Sequence, residues 1–262
     1  MFIVKVPGVG EEKNKGSRDA GNAVLAFLKD MHNNEQGKLV DQRLLDLEEI
    51  HLDNNNQELS QSLIYKNALE TFETKPKAVF LGGDHSITYS LARAFMDHCR
   101  DNSREPCLIA FDAHAGCEKG PLDKAWLRNL IEKGFPAEDI LLVGLRSQTA
   151  EETEFLSKNR IRSIKMNQLL EDLTDICDSV MEFANGKELY LSLDIDVVDP
   201  AFAQGTNRPD SGGLSSRQMI YLVQRMNKMR NLKAAEIVEI NPEKPGGETT
   251  ARLGAKILAE MI

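Results

Sequence analysis

The sequence holds no apolar run near the ~20 residues that span a bilayer, no Cys-x-x-Cys pair, and no Gly-x-Gly-x-x-Gly or P-loop after its first apolar segment. The first absence speaks against a helical membrane protein. The second, with only four cysteines (Cys99, Cys107, Cys117 and Cys177), argues against a disulfide framework and against a zinc ribbon. Reduced thiols in a cytosolic protein are the plain reading. The third absence argues against a metal-independent nucleotide-binding α/β protein. Basic residues are in the minority, 32 Lys and Arg against 41 Asp and Glu, for a net charge of −9. Neither nucleic acid nor an anionic membrane is therefore expected as a partner, whereas a cationic small molecule would be electrostatically welcome. The opening MFIVKVPGVG lacks the basic start and long apolar core of a signal peptide and reads as a first strand. A cytoplasmic location is expected.

What is present suffices for one α/β domain over residues 1–262, with 41% hydrophobic residues and charge spread along the chain. Apolar strand-like runs at Phe2–Val6, Lys77–Leu81, Cys107–Phe111, Ile140–Gly144, Ile161–Ile164, Glu188–Ile195 and Ala234–Ile240 alternate with helical spacing. Helices are predicted at Asp19–Met31, Gln57–Phe72, Ser86–Cys99, Asp123–Lys133, Glu151–Lys158, Ser215–Met229 and Glu248–Met261, with two more pieces between Asn167 and Ala184. Asp19 is a plausible cap for the first. Gly10–Gly16 reads as a polar loop, Asn54–Asn56 as another, and Lys38–Leu47 is ambiguous, with room for a short strand. This alternation implies βαβ units on a mainly parallel sheet.

The chemistry gathers at strand ends. Glu188–Ile195 closes on Asp194 and Asp196, two carboxylates two residues apart, which on a strand point to one face. Two buried acids side by side are costly without a cation between them, and hard oxygen ligands suit Mn, Mg or Ca. Alone, such a pair is better explained by a solvated strand end or a turn with an Asx cap. Two further strands end alike: Val79–Leu81 runs into Gly82-Gly83-Asp84-His85-Ser86, and Leu108–Phe111 into Asp112-Ala113-His114. Ligands of open α/β sheets bind at the carboxyl ends of strands, so the convergence points to a metal site. Asp84 reads more readily as a helix cap than as a ligand. His32, His51 and His98 fit no pattern.

GGDHS, then DAH, then SLDIDVVDPAFA with its closing GG, then EINP at Glu239–Pro242, in this order and spacing, resemble the ureohydrolases, the arginase and agmatinase family. The likeness runs from Val79 to the end, including ETTARLGAKI. It implies a three-layer α/β/α sandwich on a mostly parallel sheet, usually assembled as a homo-oligomer, a trimer or hexamer. It further implies hydrolysis of a cationic guanidino small molecule, releasing urea, at two Mn2+ ions bridged by hydroxide. Carried over residue by residue, His85 would bind the first ion and His114 the second. Asp112 and Asp194 would bridge both, Asp196 would complete the second, and Glu239 would pair with the substrate's guanidinium.

The chain departs from the family's pattern in three places. The family's Asp-Ala-His-x-Asp reads Asp112-Ala113-His114-Ala115-Gly116 here, so one carboxylate of the first ion is missing. The family's loop histidine, a proton shuttle, aligns with Asp123. The usual Pro-Gly-Thr-Gly-Thr-Pro reads Gln204-Gly205-Thr206-Asn207-Arg208-Pro209, which adds a cation at Arg208. A carboxylate at position 116 would be expected to project into the pocket and restore the first ion, with Glu118 or Cys117 as possible stand-ins. Two function classes follow: a ureohydrolase of linear amidines, agmatinase-like and with an altered metal site, or a weakened relative acting as a binding or regulatory subunit.

Overall fold

A computed structural model describes residues 1–53 and 55–262, so the Asn54 part of the expected Asn54–Asn56 loop lies outside the described residues. Eight strands form one sheet: β1 (Phe2–Val6), β2 (Asp46–Glu49), β3 (Ala78–Gly82), β4 (Pro106–Phe111), β5 (Ile140–Leu145), β6 (Arg162–Lys165), β7 (Glu188–Asp194) and β8 (Leu232–Val238). Their order is β2-β1-β3-β8-β7-β4-β5-β6, and each neighbouring pair is parallel. The inner strands are buried on both faces, which is why they read as near-continuous apolar runs rather than alternating ones.

Helices cover both faces. On one lie α2 (Gln57–Thr74), α3 (Ser86–Asp101), α4 (Leu122–Glu132) and α5 (Ala150–Asn159). On the other lie α1 (Ala20–Leu28), α6 (Met166–Glu171), α7 (Leu173–Phe183), α8 (Ser216–Met226) and α9 (Gly247–Met261). The period-two geometry of a strand divides its side chains between the two cores. Leu189, Leu191 and Leu193 of β7 face the α8–α9 layer, and Tyr190 faces α3. The architecture is the three-layer α/β/α sandwich, with a sheet parallel throughout. Among the described residues no helix is long and apolar enough to cross a membrane.

Several boundaries differ from expectation for local reasons. Glu12–Asp19 winds into a 3-10 helix rather than a loop, and Asp19 precedes α1 without a side-chain capping bond. Residues 38–47 hold a 3-10 turn at Gln42–Leu44, capped by Asp41, before the fully exposed edge strand β2. Most consequential, β7 stops at Asp194, and Ile195–Val197 is a 3-10 turn in which Asp194 accepts the backbone N–H of Asp196 at 2.8 Å. Asp194 and Asp196 are therefore not two residues of one strand face. The turn separates their directions, and each carboxylate meets a different histidine.

The sheet order places the ends of β3, β8, β7 and β4 side by side. β7 and β4 are neighbours whose chains leave in opposite directions, β7 through α8 to β8 and β4 through α4 to β5, so this is where a crevice opens in such a sheet. The exits of β1 and β3 are laced together there. Gly83 donates to Val6 O at 3.0 Å and Asp84 donates to Gly8 O at 3.1 Å. A Cβ on Gly83 would stand 2.0 Å from Gly8 O, a backbone atom that cannot swing aside. Gly83→Ala should therefore lower stability by roughly 1–3 kcal/mol, the range for forced overpacking. An unchanged denaturation midpoint would show that the two exits are not in contact as described.

Candidate functional site

The last turn of β3 delivers His85 immediately before α3. Asp84 beside it faces away from the cluster: Oδ1 accepts from Ser86 N at 3.1 Å and from Ser86 Oγ, while Oδ2 accepts from Gly10 N at 2.7 Å and Asn14 Nδ2 at 2.8 Å. All of its acceptor capacity goes to fastening loops, as a capping role requires. The His85 imidazole turns the other way. Its Nδ1 lies 3.0 Å from Asp194 Oδ2 and 3.3 Å from Asp112 Oδ2, and its Nε2 lies 3.1 Å from Ser192 Oγ. Behind Ser192 sits Glu236, fully buried on β8, which also accepts from Thr88 Oγ1 at 2.7 Å and Tyr190 OH at 2.8 Å. That chain fixes the outer nitrogen of His85 and leaves Nδ1 for whatever lies among the carboxylates.

β4 delivers Asp112 and His114. Asp112 reaches both histidines, with Oδ2 toward His85 and Oδ1 at 2.6 Å from the His114 backbone N and 3.6 Å from its Nδ1. Asp196 closes the second half, with Oδ2 2.7 Å from His114 Nδ1 and Oδ1 accepting from Ala113 N at 3.1 Å. Two buried groups result, His85/Asp112/Asp194 and Asp112/His114/Asp196, each with ligand atoms within 4.8 Å of one another. Asp112 is shared, which fits a bridging ligand. Asp194 joins the first group and not the second, with its other oxygen accepting the Asp196 N–H. The donors, imidazole nitrogens and carboxylate oxygens, suit a divalent ion of the Mn or Zn kind.

Glu239 follows β8 in a left-handed backbone conformation, φ 66°. Its Oε1 accepts from His85 N at 2.7 Å and its Oε2 from Asn207 Nδ2 at 2.8 Å. Asn207 in turn bonds Ser17 and accepts from Asn241 Nδ2 at 2.7 Å. Burial, with Asp194 and Asp84 nearby, pushes the Glu239 carboxyl well above its usual range. Burial and the charges of Asp196 and Asp112 push Asp194 up to about 8. Burial alone would pull the histidines down, but their carboxylate partners outweigh it. His85 ends well above the ordinary imidazole range and His114 at about 10. The carboxylates thus favour the protonated imidazoles.

The first-ion side differs from the sequence expectation. Gly116 has φ +63°, and a Cβ there would stand 2.1 Å from Trp126 Nε1. The Trp126 indole stacks on His85, with ring centroids 4.8 Å apart and planes 28° from parallel. A side chain at position 116 therefore meets the indole rather than open pocket. The cavity left among His85, Asp112, His114, Gly116, Trp126 and Asp196 is only about 10 Å3. The proposed stand-ins also lie elsewhere. Cys117 Sγ turns toward Glu152 O at 3.9 Å, its thiol pushed up to about 12 by burial, and Glu118 pairs with Arg208 at 3.1 Å.

Asp123 and Arg208 both line the cavity. Asp123 Oδ2 accepts from Asn14 at 3.1 Å, whereas Oδ1 is buried without a hydrogen-bond partner among the described residues. Burial, then Asp84 and Glu11, raise its pKa. His51 is exposed, and His32 and His98 lie outside the cluster. Trp126, Ser192, Glu236, Asn207 and Asn14 carry the site's outer contacts and were not singled out from sequence. Only Glu236 carried a sequence signal, as an acid inside the apolar run of β8.

Two predictions follow from this geometry. Gly116→Asp should lower the thermal midpoint, with a cost of roughly 1–3 kcal/mol; a variant as stable as the parent would mean that the indole yields freely. A metal ligated by His114 must displace its proton, which is held up to a pKa of about 10. Mn2+ affinity should accordingly rise with pH, by about tenfold per unit for each proton displaced. Calorimetry at several pH values checks this, and a flat profile around neutrality would mean an imidazole already neutral.

A family model described as the Arginase family matches residues 1–262. The chain is 29% identical over 230 residues to an agmatinase of Bacillus subtilis, covering 86% of this chain and 76% of that protein. It is 31% identical over 191 residues to a guanidinobutyrase of Pseudomonas aeruginosa, covering 70% of this chain and 58% of that one. The crystal structure of formimidoylglutamase from Bacillus subtilis superposes with a TM-score of 0.90 over 99% of this chain and 85% of that chain, at 22% identity, a likeness of fold. Matched along its whole length, and carrying its His/Asp cluster where four adjacent parallel strands end, the chain belongs to the arginase family, whose members are hydrolases acting on C–N bonds.

Proposed function

We propose that the protein hydrolyses a guanidino or related amidine C–N bond of a small molecule, agmatinase-like and releasing urea from a guanidine, with Mn2+ held by the His/Asp cluster. The observation that carries this reading is the pair of buried groups sharing Asp112, with the Glu239 carboxylate beside them. Asp112, His114 and Asp196 would hold one ion, and His85, Asp112 and Asp194 are what remains for another. A divalent ion there supplies Lewis-acid polarisation and a water of lowered pKa.

The chain's own residues have the remaining work. Glu239, held at both oxygens by His85 N and Asn207, is positioned to pair with a guanidinium and orient its carbon. Asp123, with its free Oδ1 and raised pKa, is suited to carry a proton at the cavity edge. Arg208, tied to Glu118, lines the same cavity and sets a positive charge beside a cationic substrate. The second reading, a weakened relative acting as a binding or regulatory subunit, is favoured by one observation: the cavity, with Trp126 and Arg208 in its lining, is only about 10 Å3.

We further read residues 1–262 as one arginase-like domain, cytoplasmic, and assembled as a trimer or hexamer, the last on the family resemblance alone; a monomer by light scattering at micromolar concentration would count against it. The function is tested by urea release from agmatine, arginine and guanidinobutyrate with saturating Mn2+, alongside calorimetry. Turnover of one of them, with both turnover and Mn2+ binding lost in Asp196→Ala, is the expected result. Metal binding without turnover of any guanidino compound would favour the regulatory reading, and no Mn2+ binding at all would remove the metal site.

A further inference from the structure

We propose that this chain binds one divalent ion, at Asp112, His114 and Asp196, and that the stacked rings of His85 and Trp126 occupy the place of a second. The proposal rests on the metal-dependent reading above and narrows it.

Three observations lead there. The first is occupancy. The indole stands where a side chain on residue 116 would begin, 2.1 Å from that Cβ position, and Trp126 is fully buried, so it has no solvent-facing alternative nearby. The second is chemistry. An indole N–H is a donor with no lone pair to offer, and Trp126 Nε1 is buried without a hydrogen-bond partner among the described residues. It places an N–H donor beside Gly116, where the Asp-Ala-His-x-Asp pattern would put an anion. The third is what is left to bind with. His85, Asp112 and Asp194 are three donors, of which Asp112 is shared with the His114 group and Asp194 already accepts from Asp196 N. Mn2+ favours octahedral oxygen-rich coordination, so a second ion would need further donors, water included. A cavity of about 10 Å3 has room for about one water-sized body.

Charge points the same way. Relative to the Asp-Ala-His-x-Asp pattern, Gly116 removes one negative charge, and Arg208 brings a positive one to the cavity wall, shared with Glu118. Both changes weaken the attraction of a buried cluster for a second divalent cation. The His114 group keeps its three donors, and the ring that the indole stacks on is His85.

The chain contains a single tryptophan, and it is Trp126. Its fluorescence therefore reports on this site alone. The full-length protein would be stripped with a chelator and titrated with Mn2+. Calorimetry and metal analysis would give stoichiometry, indole emission would report proximity, and electron paramagnetic resonance would report whether ions are paired. The expected result is one ion per chain, emission quenched by the paramagnetic ion and levelling off at one equivalent, and an isolated-Mn2+ spectrum at saturation. His85→Ala should still take up one ion, whereas His114→Ala should lose it. Two ions per chain with an exchange-coupled spectrum would overturn the proposal while leaving the metal-dependent reading intact. No ion in the parent protein would remove both. An ion lost in His85→Ala but kept in His114→Ala would place it on the wrong side and overturn the proposal too. Trp126→Ala in a Gly116→Asp background should raise the count to two where it folds. A count still at one in that folded protein would show that the rings do not fill the second place.

Discussion

Four carboxylates, those of Asp112, Asp194, Asp196 and Glu239, are buried within one cluster, and their mutual repulsion is the constraint on which the site's arrangement depends. Burying one unpaired carboxylate costs several kcal/mol, and burying four together is tolerable only with positive charge and directed N–H groups among them. The protein supplies both. His85 and His114 face the carboxylates through Nδ1, and the backbone N–H groups of Ala113, His114, Asp196 and His85 each point at a carboxylate oxygen. Such an arrangement is already organised for cations. The protons that the carboxylates hold on the histidines would be exchanged for metal.

The sheet explains why these groups meet. In a parallel sheet every strand ends on the same edge, so neighbouring strands deliver their exits to one place without long excursions of chain. β3, β8, β7 and β4 are neighbours in space although they come from widely separated parts of the sequence. The backbone then refines the delivery. The 3-10 turn after β7 sends Asp194 to His85 and Asp196 to His114, and the left-handed Glu239 turns its carboxylate back over the His85 N–H.

Much of this was legible in the sequence because ligands next to strand ends travel with the strand pattern. Apolar runs closing on His85, on Asp112 and His114, and on Asp194 and Asp196 indicated both the fold class and the cluster. What escaped was whatever depended on neighbours far along the chain or on a turn shorter than the reading's resolution. The same-face argument for Asp194 and Asp196 failed because the strand stops one residue earlier than its apolar pattern, once Asp194 accepts a local N–H. Trp126 was invisible because a tryptophan three residues after Asp123 on a helix reads as ordinary core. Nothing in its surroundings shows that the Gly116 loop comes back to meet it. Glu236 could have been noticed, since an acid inside a strand buried on both faces demands partners. The hydroxyls that satisfy it, on Thr88 of α3 and on Tyr190 and Ser192 of β7, lie on two other segments.

The replacement of a carboxylate by glycine at position 116 changes geometry as well as charge. With φ +63° the chain reverses tightly, and Gly116 O accepts the N–H of Leu127, which ties the loop directly to α4. That bond brings the helix face carrying Trp126 up against the loop, and the absence of a Cβ makes the space that the indole fills. The absence of a side chain at 116 and the seat of the aromatic ring are therefore parts of one local arrangement. A side chain at 116 would push against Trp126 Nε1 at once, and through the ring stack against His85. The His114 side is insulated from this exchange because its fastenings run to Asp196, to Ala113 and through Ala113 to the exit of β5, where Arg146 N and Ser147 N both donate to Ala113 O at 3.0 Å. The two halves of the site share Asp112 but are held by different parts of the fold, so one half can be rebuilt around an aromatic ring while the other keeps its ligand set.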